Sequence, residues 1–308
     1  MVSLQTIKTR QVLALQGGGA HGAFTWGALD RLLEDGLRFD AVTGVSSGAM
    51  IAAMAVQGFV HDGPRGARKA VTLLWETVAA AHIFGPVNSA MDWLWGWDKG
   101  LEFGQEMAWT GITNALRMFN PGQLNPFGQN PLGPLLDSLL DLDTIRDSSA
   151  PKLFVAATDV ETGAARIFNN AEISVDVLLA SSCIPMMFPA VNIGGKFYWD
   201  GGYSCNPALS PVLSPRPEHL VLIRAQPRTR RGVPNRTADI VHRLHEIAFQ
   251  APLDAELAAL PKAVRLTDIS ADAALARHPL TSKMNTERSF LDSLFNAGRE
   301  AAGMAKAA

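Results

Sequence analysis

Two short apolar runs near the start of the chain each stop at a glycine-rich turn and then give way to a helix-forming stretch. This repeated handover limits the fold more than any other feature. Val12-Leu-Ala-Leu15 halts at Gly17-Gly-Gly19, after which Ala23, Trp26, Leu29, Leu32 and Leu33 recur at helical spacing up to Gly36. An unbroken apolar run reads as a strand buried on both faces of a parallel sheet, and a recurrence of three to four residues reads as one face of a helix. Phe39 to Thr43 gives a second such strand, followed by Gly44-Val-Ser-Ser-Gly48 and the small-residue helix Ala49 to Val56. A right-handed crossover between parallel strands brings both strand ends to one sheet edge. The two glycine turns then face one crevice.

Strand signals resume at Leu153-Phe-Val-Ala-Ala157, Lys196-Phe-Tyr-Trp199, Leu220-Val-Leu-Ile223 and Val264-Arg-Leu266, with helical stretches at Ile173 to Ser181 and Ile240 to Gln250 between them. This alternation predicts a three-layer α/β/α fold with a mostly parallel central sheet. Residues 1–308 read as a single domain with a helical, tryptophan-rich insertion or lid at about 61–148, which holds Trp75, Trp93, Trp95, Trp97 and Trp109. The Ala-rich end after Arg299 is expected to fray.

With 27 basic and 29 acidic residues, the chain has no positive excess to neutralise phosphates, so no nucleic-acid partner is expected. Cys183 and Cys205 have neither the number nor the spacing of a disulfide framework or a zinc site, and no metal or cofactor is expected. The first ten residues lack an apolar run followed by a cleavage site, and no stretch approaches the ~18 apolar residues of a membrane span. The expectation is a cytoplasmic protein, with peripheral membrane contact left open. Oligomeric state is not legible.

Gly44-Val45-Ser46-Ser47-Gly48 fits Gly-x-Ser-x-Gly, the sharp strand-to-helix turn that lifts a serine hydroxyl above a sheet edge. In a chain with 27 glycines the pattern alone is weak, and a plain turn with Ser46 or Ser47 as a helix cap competes with it. The apolar strand before it and the small-residue helix after it favour a nucleophile. Gly17, Gly18 and Gly19 can present backbone N–H groups at a helix N-terminus, where partial positive charge favours an anion, so they are candidate oxyanion donors. Gly17-x-Gly19-x-x-Gly22 also satisfies a dinucleotide fingerprint, but that reading requires an acidic residue closing the second strand. The nearest carboxylate, Asp40, sits at that strand's beginning.

A serine hydroxyl needs a base. None of the seven histidines lies in a glycine-bounded loop facing a crevice. His219, next to a strand, is the least unsuitable, and it would make a conventional Ser-His-Asp hydrolase. Asp200 has the better setting, at the carboxyl end of a strand and followed by Gly201-Gly202, although Asp-Gly is also a common turn pair.

Gly17-Gly-Gly-Ala-His-Gly22, Gly44-Val-Ser-Ser-Gly48 and Asp200-Gly-Gly202, in this order and near these separations, resemble the signature blocks of the patatin-like phospholipases. The likeness extends to Ala180-Ser-Ser-Cys-Ile-Pro-Met-Met-Phe-Pro189 and Asn206-Pro207, covering about residues 11 to 210. It implies a patatin-like fold, Ser46 as nucleophile, Asp200 as base in a Ser-Asp dyad, and the amides of Gly17, Gly18 and Gly19 as oxyanion donors. It also implies a lipid or acyl-ester substrate cleaved through an acyl-enzyme. One departure is His21, where the family often has Arg or Lys. Ser282-Lys-Met-Asn285 has no role that the sequence assigns. Trp93, Trp95 and Trp97 alternate in Met91-Asp-Trp-Leu-Trp-Gly-Trp97, a pattern that suits either contact with a membrane surface or the packing of a helical subdomain. A non-catalytic nucleotide-binding module stays open as the alternative from another class.

Overall fold

The computed structural model describes residues 10–81 and 130–307, apart from 186, 231, 236, 277 and 279. The crossover unit opens the fold as β1 (Gln11–Leu15), α1 (Gly22–Glu34), β2 (Ala41–Gly44) and α2 (Ser47–Ala80). Then come α3 (Leu132–Leu139), α4 (Leu142–Arg146), β3 (Lys152–Asp159), β4 (Ala165–Asn169), α5 (Val175–Ser181), β5 (Val191–Ile193) and β6 (Lys196–Asp200). The chain continues through β7 (His219–Arg224), α6 (Thr237–Ala258), β8 (Arg265–Ser270), α7 (Asp272–Leu275) and α8 (Arg288–Ala307).

Hydrogen-bonded neighbours run β5-β6-β3-β2-β1-β7-β8, with β4 also paired to β3. The β1–β2, β1–β7, β2–β3 and β7–β8 pairs are parallel, while β3–β4, β3–β6 and β5–β6 are antiparallel. The sheet is therefore mostly parallel and flanked by helices. Side chains alternate across it as the pleat requires. Leu13, Leu15, Val42, Val221 and Ile223 join the core beneath α1, α2 and α8. Val12, Ala14, Ala41, Leu220 and Leu222 face Leu253 of α6 together with Leu209 and Val212. Both faces of β1 are thus dry, which is why it reads as an unbroken apolar run, and each buried Leu stabilises the fold by about 1.5–3 kcal/mol.

Helix α1 is covered on nearly every side. Trp26 stacks on Trp75 of α2 at 6.4 Å and meets Phe295 of α8 at 4.2 Å between ring centroids. Its buried Asp30 is met by Arg68 of α2 at 2.7 Å and by Arg299 of α8, so the one charge inside the three-helix contact is neutralised. The end after Arg299 continues α8 to Ala307, with Ala302 buried and Ala301 and Ala305 packed against the core.

Of the insertion expected over 61–148, residues 61–80 belong to α2, whose second half, 64–80, lies beyond a kink at Asp62 and Gly63. Pro64 starts that half, where its missing N–H leaves no bond unmade. Residues 130–146 hold α3 and α4. Trp93, Trp95, Trp97 and Trp109 lie outside the described residues. Among the described residues no helix is long and apolar enough to cross a membrane.

Candidate active site

Pairing along β3 creates the crevice. Phe154 has Thr43 of β2 on one side and Asn169 of β4 on the other, while Ala157 has Asp200 of β6 opposite Arg166 of β4. A strand has only two edges, and β4 occupies one of them from Phe154 to Thr158. Strands β2 and β6 must therefore share the other. β2 leaves it after the Gly44–Val155 pair, and β6 takes it up at Ala157. The end of β2 and the end of β6 converge there, and they carry Ser46 and Asp200.

Ser46 follows β2 by two residues and caps α2 with φ 56° and ψ −128°. Among the described residues it is the one non-glycine with positive φ. A backbone held there costs on the order of 1–3 kcal/mol and persists only when its surroundings fix it. Here the Ser46 N–H donates to Ser181 Oγ at 3.0 Å, and Ser181 Oγ donates to the Ala156 carbonyl at 2.7 Å. The Ser46 carbonyl meanwhile accepts the N–H groups of Ala49 and Met50 at 2.9 and 3.2 Å. Its side chain is left at the opening, partly exposed.

Asp200 ends β6 and is 7% exposed. Its N–H donates to the Cys183 carbonyl at 2.8 Å, and its carbonyl accepts Thr158 Oγ1 at 2.8 Å. The carboxylate accepts the Gly202 N–H at 2.8 Å, and Ser46 is near enough to lower its pKa. Burial pushes its pKa up to about 6, against the opposing pull of the Gly202 N–H, Ser46 and Lys283. The neighbouring thiols of Cys183 and Cys205 are pushed up to about 12, again chiefly by burial, so neither competes as a nucleophile.

The glycine loop approaches from β1. A Cβ on Gly17 would lie 2.7 Å from the Val45 carbonyl oxygen and 2.8 Å from the Ser46 Cβ, so no side chain fits beside the serine. Gly19 has φ +58°, and a Cβ there would meet the Lys283 carbonyl oxygen at 2.6 Å. The three amides are not equivalent. Gly17 N–H donates to Asn206 Oδ1 at 2.9 Å and Gly18 N–H to Ser47 Oγ at 3.1 Å. Among the described residues the Gly19 N–H has no acceptor, and neither does the N–H of Ser47 at the start of α2. Two of the three loop amides are thus committed to acceptors within the protein.

His21 is fully buried, with Nε2 2.7 Å from Ser282 Oγ and Nδ1 without a partner. Burial first, then the charges of Lys283, Arg230 and His278, holds its pKa well below the ordinary imidazole value, so the ring is neutral. His219 starts β7 opposite Gln11, at the sheet edge away from Ser46, and pairs with Thr267 Oγ1 at 2.8 Å. Asp40 likewise anchors the start of β1, accepting the Gln11 N–H at 3.1 Å. Ser181, Asn206 and Lys283 lie in segments that stand out in the sequence, but nothing there gives them a role, and Gln226 leaves no signal at all, because each is joined to the site by contacts across the fold. Among the described residues no group of His, Cys, Asp and Glu side chains could hold a metal ion.

A family model described as patatin-like phospholipase matches residues 13–213. No curated protein matches the chain. Among solved structures, VipD from Legionella pneumophila aligns with a TM-score of 0.44 and 14% identity, over 96% of this chain and 66% of that one. ExoU from Pseudomonas aeruginosa, solved in complex with SpcU, aligns with a TM-score of 0.31 and 15% identity, over 96% and 53%. The chain thus spans just under two thirds of VipD and about half of ExoU.

Proposed function

The chain belongs to the patatin-like phospholipase family, and from that membership we propose that it is a lipid acyl hydrolase with Ser46 as nucleophile and Asp200 as general base. The observation that carries this reading is that β2 and β6 share one edge of β3, so that Ser46 meets a buried carboxylate whose pKa is raised to about 6. A carboxylate near its ordinary pKa of about 4 is a poor base, and a raised one, still ionised at neutral pH, is a better proton acceptor.

In the proposed cycle Asp200 takes the Ser46 proton as Oγ bonds to the ester carbonyl carbon. The carbonyl oxygen becomes the oxyanion. Gly19 and Ser47 supply the uncommitted N–H groups beside the serine, and Gly18 joins them only if the Ser47 hydroxyl swings away. Collapse of the tetrahedral intermediate expels the alcohol, which takes its proton from Asp200 and leaves the acyl group on Ser46. Water then gives a proton to Asp200 and attacks the acyl carbon. Breakdown frees the fatty acid and returns the proton to Ser46. The domain is proposed to be single over 1–308, with the segment around 61–148 as its insertion.

The test is labelling with a fluorophosphonate and identification of the modified residue by mass spectrometry, beside hydrolysis of lipid esters by Ser46→Ala and Asp200→Asn. The reading requires one adduct, on Ser46, and loss of hydrolysis in both variants. An unlabelled Ser46 in folded protein, or a Ser46→Ala enzyme that still cleaves esters, would overturn it.

A further inference from the structure

A site that moves negative charge from a carboxylate to an ester oxygen gains from a fixed positive charge facing both positions. His21 of the glycine loop is neutral and tied to Ser282, so it supplies none. The adjacent residue in the facing 3-10 turn, Leu280–Met284, is Lys283. The two turns touch, with the Lys283 carbonyl oxygen 2.6 Å from where a Cβ on Gly19 would stand.

From that turn the half-buried Lys283 side chain reaches along the crevice wall. Its Nζ donates to Gln226 Oε1 at 3.2 Å. Gln226 is fixed to the same loop, its Nε2 donating to the Gly17 carbonyl at 2.7 Å and its N–H to Gln16 Oε1 at 2.9 Å. The ammonium also stands 5.8 Å from the centre of the Phe249 ring. Asp200 Oδ1 and the edge of that ring both lie within 3.2 Å of where a Cβ on Gly202 would stand. Lys283, Phe249 and Asp200 thus form one stretch of wall.

One neutral amide accepts one of the three ammonium protons, which does not offset the cost of partly burying a cation. The charged and titratable groups facing Lys283 are Asp200, Glu246, Arg230, His21 and His245. Glu246 is already committed, meeting Arg230 at 2.9 Å and Arg243 at 3.1 Å. His21 and His245 both have lowered pKa values, and Arg230 repels. Glu246 is the stronger counter-charge but is shared with both arginines, whereas Asp200 makes no ion pair among the described residues.

We infer that Lys283 supplies the positive charge of this site, stabilising the negative charge as it passes from Asp200 to the ester oxygen held at Gly19. This rests on the Ser46–Asp200 reading above. Burial lowers the Lys283 pKa to about 8, so the charge fades within the range where the enzyme can be assayed.

The experiment compares the full chain with Lys283→Met and Lys283→Arg on a neutral substrate, p-nitrophenyl butyrate, from pH 5 to pH 10, with Ser46→Ala as the control. A neutral ester removes any contribution from binding a charged headgroup. Lys283→Met is expected to lower kcat about tenfold or more. The wild type should lose activity as pH rises through about 8. Lys283→Arg should restore part of kcat and keep it above that pH, because a guanidinium stays charged. A Lys283→Met enzyme with kcat within about twofold of wild type and an unchanged alkaline decline overturns the inference. If the Met variant does not fold, Lys283→Arg decides alone, and retention of the wild-type decline overturns it. Activity in Ser46→Ala would instead bring down the underlying reading.

Discussion

The Ser181 hydroxyl bridges Ser46 to β3, accepting the Ser46 N–H at 3.0 Å and donating to the Ala156 carbonyl at 2.7 Å. It fills the ladder position that β2 vacates when the chain turns away, and so fixes the one non-glycine with positive φ among the described residues. Ser181→Ala would leave both the Ser46 N–H and the Ala156 carbonyl without this partner. The expected result is a loss of about 1–3 kcal/mol in unfolding free energy and at least a tenfold fall in kcat, from a misplaced nucleophile. Urea unfolding together with ester hydrolysis checks both. Wild-type values in each would show that the turn holds itself.

The pH response of Asp200 separates its chemistry from its effect on stability. As a base it works when ionised, so kcat/KM should rise with pH through about 6. Stability runs the other way. A carboxyl whose folded pKa is raised above its unfolded value contributes fully at pH below about 4, and that contribution is lost as pH rises towards 6. Asp200→Asn should remove this slope, abolish turnover, and be more stable than wild type at pH 7 by on the order of 1–3 kcal/mol. Thermal unfolding of both proteins between pH 4 and pH 7 reads the difference. Parallel curves would mean that the carboxylate is not destabilised by burial.

Gly17 is a steric position. Placing a methyl 2.7 Å from the Val45 carbonyl oxygen and 2.8 Å from the Ser46 Cβ forces the loop and the serine apart. Gly17→Ala is expected to cost about 1–3 kcal/mol in stability, as overpacking does, and about a hundredfold in kcat. Fluorophosphonate labelling rates follow the serine directly, and an unchanged rate would refute the close approach.

His219 separates the Ser-Asp reading from a conventional triad. It lies at the amino-terminal end of β7, opposite Gln11, and bonds Thr267. His219→Gln should keep kcat within about twofold of wild type, consistent with a substitution distant from the chemistry. A folded but inactive His219→Gln enzyme would return the histidine to the mechanism.

The sequence by itself determined the features whose residues are demanded locally. An apolar run ending in three glycines, a serine between glycines at a strand-to-helix turn, and an aspartate before Gly201-Gly202 each limit their own backbone, so they are legible without a partner. The same holds for β1, β2, β3, β6 and β7, whose cores are apolar runs. Strands β4 and β5 left no such trace. Ala165–Asn169 is largely solvent-facing and Val191–Ile193 has only three residues, so pairing with a neighbour makes them strands and hydrophobic period does not. α8 was masked by its Ala-rich end for a similar reason, since contact with α1 and the Arg299–Asp30 salt bridge hold it.

Only the tertiary structure decided how the pieces meet. That β2 and β6 share one edge of β3 brings Ser46 to Asp200, and no residue near either announces it. Three consecutive glycines look alike in sequence, yet Asn206 and Ser47 claim the first two amides and leave the third. Lys283 reaches the same crevice from a turn far along the chain. Such contacts depend on which surfaces the folded sheet lays together, and a one-dimensional pattern holds no record of that.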